Sequence, residues 1–184
     1  MAALTVSANQ DPTPGVGNET EKIDSAVVVA SRAGANTPVT YTTIGKEELS
    51  RSNPINSLPM NLSMQPSVVS VNEGGTGLGY SKMTVRGVKG SQINVTLNGI
   101  TLNDAESQEV FWVNIPALGN MLTGVQLQRG LGTSANGAGA FGASINMNTA
   151  TAGSAPRFHI EQSAGSYGTA TTSVAAATGL TKSG

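Results

Sequence analysis

Strict alternation of apolar and polar residues dominates the middle of this chain. In QINVTLNG, residues 92–99, Ile93, Val95 and Leu97 alternate with Asn94, Thr96 and Asn98. In GVQLQRG, residues 124–130, Val125 and Leu127 alternate with Gln126 and Gln128; in ASINMNT, residues 143–149, Ile145 and Met147 alternate with Ser144, Asn146 and Asn148. A repeat of two is the signature of a strand with one buried and one solvated face. Asn98-Gly99 is a hairpin turn signal, since both residues accept the positive φ that a type I′ turn needs at its two central positions; Ile100–Leu102 then returns antiparallel.

The surrounding segments are weaker but readable. Residues 1–22 are polar, contain Pro12 and Pro14, have no period, and read as a flexible arm. Ile23 to Gly34, IDSAVVVASRAG, contains three consecutive valines and reads as a short extended segment, either an edge strand or a strand offered to a partner. KEELSRS, residues 46–52, predicts one or two helical turns closed by Asn53-Pro54. Ile55, Leu58 and Leu62 sit at helical spacing, with Pro59 expected to weaken that helix. SVVSVN, residues 67–72, is a β run; GGTGLG, residues 74–79, is a flexible loop; residues 110–122 hold a helical turn near Pro116. From Arg157 onward a weaker alternation fits two strands of about ten residues, the length of membrane-barrel strands. The last residues, ATGLTKSG, read as a stop in mid-pattern.

Several function classes are excluded or weakened by composition. Charged residues are 11% of the chain and the net charge is −1, so no basic field for nucleic acid exists. With no cysteine and a single histidine, His159, thiolate metal sites and multi-histidine zinc sites are ruled out. No apolar run approaches the roughly 20 residues of a membrane helix. The N-terminal stretch lacks a secretory-signal profile, which leaves a cytosolic protein or a leader outside this sequence.

No catalytic constellation stands out. GAGAFG, residues 137–142, formally satisfies a dinucleotide fingerprint, but the preceding strand ends eight residues too early and a strand pattern follows where a helix is required. The glycines around it, Gly130 to Gly142, instead imply a tight loop pressed against other protein. Asp104, Glu106 and Glu109 read as solvated carboxylates. Arg86-Gly87 and Arg129-Gly130 each end a half-buried strand in a chain with few charges. An arginine there is either a rim residue facing water or a fork aimed at carboxylates of another domain.

Together, VVVASRAG, PSVVSVNEGGTGLGYSKMTVRG, QINVTLNGITLNDAES and VQLQRGLGTSANGAGAFGASINMNT resemble the plug domain of TonB-dependent outer-membrane transporters, over residues 23–150. The likeness is nearest to iron-complex receptors of Bacteroidetes-like bacteria. It departs from the SusC-like carbohydrate branch, which has "VDG" where this chain has "LNG". The resemblance implies an α+β, β-rich fold: a small mixed sheet of about four strands with short helices, then the first strands of an incomplete 22-stranded barrel. The implied division is an arm at 1–22, a TonB-box-like segment at 23–32, a plug at 33–150, and a linker with the barrel start at 151–184.

It also implies roles. Ile23, Asp24, Ser25, Ala26, Val27, Val28 and Val29 would form the TonB box that pairs with the TonB C-terminal domain. Arg86 and Arg129 would meet glutamates of the chain's own barrel wall. Leu78, Tyr80, Asn103, Asp104, Glu106 and Trp112 would lie on apical loops facing a small nutrient ligand: an iron chelate, a cobalamin-like molecule or an oligosaccharide. No cofactor, metal or enzymatic activity is implied. The expected location is the bacterial outer membrane, with the N-terminus facing the periplasm. The alternative is a free-standing β-rich surface binding or adhesin module.

Overall fold

The computed structural model describes residues 4–6, 32–34, 37–52, 55–131, 139–150 and 155–179. The chain divides into two compact units, Val27–Ala150 and the two ends, Met1–Ala26 with Thr151–Gly184. The TonB-box-like residues Ile23 to Val29, the pair Asn53-Pro54 and the centre of the glycine-rich stretch lie outside the described residues.

The larger unit is built on five strands. They are β2 (Thr40–Gly45), β5 (Ile93–Leu97), β6 (Ile100–Thr101), β7 (Leu122–Arg129) and β8 (Ala143–Thr149), in the spatial order β2-β7-β8-β5-β6. Every neighbouring pair is antiparallel except β5 with β8. The sheet is therefore mixed, as expected, with five strands where about four are anticipated from the resemblance. The β5–β6 hairpin turns at Asn98 and Gly99, whose φ angles of 52° and 83° match a tight turn with two left-handed residues. A separate antiparallel pair, β3 (Val68–Asn72) with β4 (Ser81–Val85), makes a second sheet.

Two short helices cover the core. α1 (Lys46–Arg51) carries Glu47 and Glu48 in its first turn and Arg51 in its last, which complements the helix dipole. α2 (Leu58–Leu62) buries Leu58 and Leu62. Pro59 does not weaken this helix, against expectation. It sits in the first turn, where the backbone N–H it lacks has no helical acceptor to reach. Two 3-10 turns, Trp112–Asn114 and Leu118–Met121, flank Pro116.

One face of the five-stranded sheet carries Ile93, Val95, Val125, Leu127, Ile145 and Met147 into a single core with Leu49, Leu58, Leu62, Val85, Trp112 and Leu118. Each such side chain contributes about 1.5–3 kcal/mol on burial. The opposite face carries Asn94, Thr96, Gln126, Gln128, Ser144 and Asn146, and none of these is more than 5% exposed. The alternation is right in period, but the polar face is not wet. The sheet is buried on both sides, and its polar side is held by side-chain hydrogen bonds. In one of these Thr96 Oγ1 donates to Asn146 Oδ1 at 2.8 Å.

In the second unit β9 (Arg157–Ala164) and β10 (Ala170–Ala177) form an antiparallel hairpin in which Val174 opposes Ile160. Phe158, Ile160 and Val174 are exposed, while His159, Glu161, Thr171 and Ser173 on the other face are half-buried. β1 (Leu4–Val6) pairs with β9 along its other edge. It lies inside the stretch read as a flexible arm, because three residues are too few to establish a period.

Candidate functional site

Arg86 and Arg129, 43 positions apart, are neighbours in the fold. Arg86 follows β4 with φ 52°, held there because its N–H donates to the Ser67 carbonyl at 2.8 Å and Val85 bridges back to Val88. Arg129 closes β7. The Arg86 guanidinium Nη1 donates to the Arg129 carbonyl at 3.4 Å.

The two arginines are not equivalent. Arg129 is buried, and neither of the two sequence alternatives describes it. Its Nε donates to the Pro66 carbonyl at 2.9 Å and its Nη1 to Thr42 Oγ1 at 2.7 Å, so the guanidinium ties β2, β7 and the start of β3 together. Its Nη2 is buried without a partner among the described residues. Burial, and secondarily the nearby Arg86 charge, lower the Arg129 pKa from the usual arginine value. Arg86 is exposed. Neither arginine forms an ion pair among the described residues, where the recorded pairs are Lys82–Glu73 and His159–Glu161.

The first expected ligand loop is ordered by one side chain. Asn72 Nδ2 donates to the carbonyls of Leu78 and Tyr80 and to Ser81 Oγ, and Asn72 Oδ1 accepts from Gly77 N–H. Residues 74–79 are thus a pinned turn and not a flexible loop. Gly77 must be glycine: its φ is 84°, and a methyl there would overlap the Asn56 carboxamide. Leu78 is half-buried and Tyr80 is 60% exposed.

The second loop divides by role. Asn103 is a staple: its Oδ1 accepts from Val95 N–H, and its Nδ2 donates to the carbonyls of Ile93 and Gln108. Both donors and one acceptor site of its carboxamide are thus taken by backbone groups. Asp104 is exposed, and its Oδ2 accepts from Ser107 N–H, Ser107 Oγ and Glu106 N–H. The Ser107 bonds are the chief reason its pKa lies below the usual aspartate value. Glu106 is exposed. Trp112 is 6% exposed and packs into the hydrophobic core.

The ends of both loops meet at a cavity of about 240 Å³, whose lining includes Lys82, Met83, Lys89, Glu109, Val110 and Trp112. Sequence reasoning missed this site. Glu109, read as a solvated carboxylate, is half-buried here. Lys82 and Lys89 carry no local pattern that singles them out, because β4 and the segment after it are brought opposite residues 109–112 only by the fold.

Close approach of the glycine-rich stretch is also internal. At Gly142 an added methyl would overlap the Val88 side chain. Gly142 N–H donates to the Gln92 carbonyl and its own carbonyl accepts from Gly130 N–H. At this position the glycine makes room for Val88, on the loop before β5. No group of three or more His, Cys, Asp or Glu suited to a metal occurs among the described residues.

Residues 33–144 match the TonB-dependent Receptor Plug Domain family. No curated protein sequence matches the chain. Among solved structures, the chain is similar to the ferric yersiniabactin uptake receptor FyuA of Yersinia pestis, with a TM-score of 0.59 and 20% identity over 83% of this chain and 23% of that one. It is similar to the outer-membrane ferripyoverdine receptor of Pseudomonas aeruginosa, with a TM-score of 0.61 and 18% identity over 80% and 19%. The siderophore receptor PirA of Acinetobacter baumannii gives a TM-score of 0.52 and 20% identity over 73% and 21%. The chain thus spans 19–23% of the length of those receptors.

Proposed function

Because the chain belongs to the TonB-dependent Receptor Plug Domain family and carries that plug fold with part of a barrel, we propose that it is the gate of an outer-membrane receptor that imports an iron chelate with energy delivered by TonB. The single observation that carries the gating role is the arginine pair. Arg86 presents an exposed guanidinium beside a second, buried one, with no carboxylate paired to either among the described residues. Two like charges held together in this way call for an external anion, and the barrel wall supplies it.

In this reading Arg86 meets the barrel glutamates, and Arg129 positions Arg86 from within. Ile23 to Val29 pair as a strand with the TonB C-terminal domain, an interaction carried by main-chain hydrogen bonds and so tolerant of varied side chains. Tyr80, Glu106 and the cavity between Lys82, Lys89 and Glu109 face the nutrient. The cavity carries both signs of charge, with Lys89 and Glu109 beside an apolar wall and Lys82 paired to Glu73, so the choice of an iron chelate as cargo rests on the ferric-siderophore receptors to which the chain is similar. The family match removes the support for a free-standing adhesin module.

The exposed apolar residues Phe158, Ile160 and Val174 favour the barrel role of β9 and β10, since a lipid-facing strand is apolar outside and polar inside. Ligand on the outer side shifts the population toward an exposed TonB box, and pulling on it then opens a path. The test is Val28→Pro in the full-length receptor, which removes a ladder donor and fixes φ. Uptake of a ferric chelate in cells is expected to fall while chelate binding persists. Undiminished uptake overturns the box assignment, and growth on iron unaffected by loss of the whole receptor overturns the cargo.

A further inference from the structure

The chain enters the plug through a clamp that β7 makes with its side chains. Ala33 N–H donates to Gln126 Oε1 at 2.7 Å, and Gln126 Nε2 donates back to the Ala33 carbonyl at 3.0 Å. A single carboxamide thus reads both backbone groups of one residue 93 positions away. The clamp is buried and braced: Ala33 and Gln126 are both buried, Gln128 Nε2 donates to Gln126 Oε1 at 3.0 Å, and Gln126 Nε2 also reaches Thr43 Oγ1 at 3.3 Å. Arg32 lies over the same strand, its guanidinium near Gly124, and its Nε is buried.

The position of this clamp sets the path of any force arriving from upstream. β7 is an interior strand, paired to β2 on one side and β8 on the other. β2 is an edge strand, and its first residue, Thr40, opposes Arg129. Without the clamp, tension at Arg32 would pass along the backbone to Thr40 and unzip β2 one pair at a time. The second residue after Thr40 is Thr42, whose hydroxyl holds the Arg129 guanidinium. Peeling β2 would therefore free the Arg129 guanidinium from Thr42 early.

We infer that Gln126 is a force latch: it diverts tension applied to the N-terminal segment into the interior strand β7, and its rupture is the first step of plug opening. The inference rests on the reading of the residues before Arg32 as the segment that is pulled. Two buried hydrogen bonds to one backbone unit break together, which gives a threshold and not a gradual yield.

The experiment pulls the full-length receptor in a membrane from a handle at its N-terminus, with neither TonB nor cargo present, so its failure is separable from failure of the transport reading. In Gln126→Leu the first opening event is expected at lower force, with opening at low load at least about tenfold faster. Hydrogen exchange at the Val125 and Leu127 amides reports whether the sheet is intact in the variant. If it is not, Gln126→Met serves, since it keeps the unbranched length of the side chain, places no charge in the buried site and lacks both hydrogen-bonding atoms; an opening force as low as that expected for Gln126→Leu is expected. Ser70→Ala, which deletes a hydrogen bond to the Pro59 carbonyl on another sheet, is expected to leave the first event unchanged. A first event at wild-type force in a folded Gln126 variant, or an equal drop in Ser70→Ala, overturns the latch.

Discussion

Gly142 and Val88 are in such close contact that no side chain larger than hydrogen fits at position 142. The contact closes the glycine-rich stretch onto the loop between β4 and β5, and the Gly142 backbone bonds to Gln92 and Gly130 hold it there. Gly142→Ala is expected to destabilise the plug by about 1–3 kcal/mol through overpacking. Val88→Ala in the same chain should restore much of that loss. A double-mutant cycle on chemical unfolding of the full-length receptor, followed by hydrogen exchange in β5 and β8, measures the coupling; additive effects would refute the contact.

The arginine pair separates by phenotype. Arg129→Ala deprives the Pro66 carbonyl and Thr42 of their donor and is expected to cost about 1–3 kcal/mol of plug stability. Arg86→Ala removes an exposed side chain and is expected to leave plug stability within about 0.5 kcal/mol while loosening the plug in its barrel. Exchange in β2 and β7, set against leakage of a small antibiotic through the outer membrane, distinguishes the two. Equal exchange in both variants would contradict the inward role of Arg129.

Thr96→Val keeps the shape of a buried side chain and deletes the donor to Asn146 Oδ1. A loss of about 1–2 kcal/mol is expected despite the gain in hydrophobicity, because a buried donor–acceptor bond is deleted on one side only. A neutral or stabilising outcome in denaturant unfolding would mean that water reaches this face of the sheet.

Acid loosens the turn at residues 104–107. Asp104 has a lowered pKa in the folded chain, so its contribution is fully present above the ordinary aspartate value near ~3.9 and is lost as pH falls through the lower, folded value. The Ser107 amide resonance is expected to titrate with a midpoint below that of a free aspartate, and Asp104→Asn should abolish the transition. A midpoint at or above the ordinary value would remove the turn's dependence on the carboxylate. Asn103, which is neutral, keeps its three backbone bonds throughout this range.

What the sequence determined by itself was local. The period of two in Ile93–Leu97, Val125–Arg129 and Ala143–Thr149 specified strands and the face each turns to the core, because side chains alternate across a pleated backbone whatever lies around it. Asn98-Gly99 specified a turn for an equally local reason, the φ of its two residues. The order of Arg-Gly ends, hairpin and glycine stretch was enough to identify the family.

Tertiary structure decided everything that depends on which distant segments meet. That Gln126, Gln128, Asn94, Thr96, Ser144 and Asn146 are buried cannot be read from alternation, since the pattern specifies two faces but not what covers them. Arg86 and Arg129 look identical as Arg-Gly strand ends, yet one is exposed and the other ties Pro66 to Thr42. Asn103 and Trp112, polar and aromatic in one loop, differ in the same way: backbone groups engage the one, and the other packs into the core at the wall of the cavity. Gln126 gave no local sign of its grip on Ala33. A carboxamide's role is set by the group placed opposite it, and 93 residues of intervening chain hide that group from any sequence window.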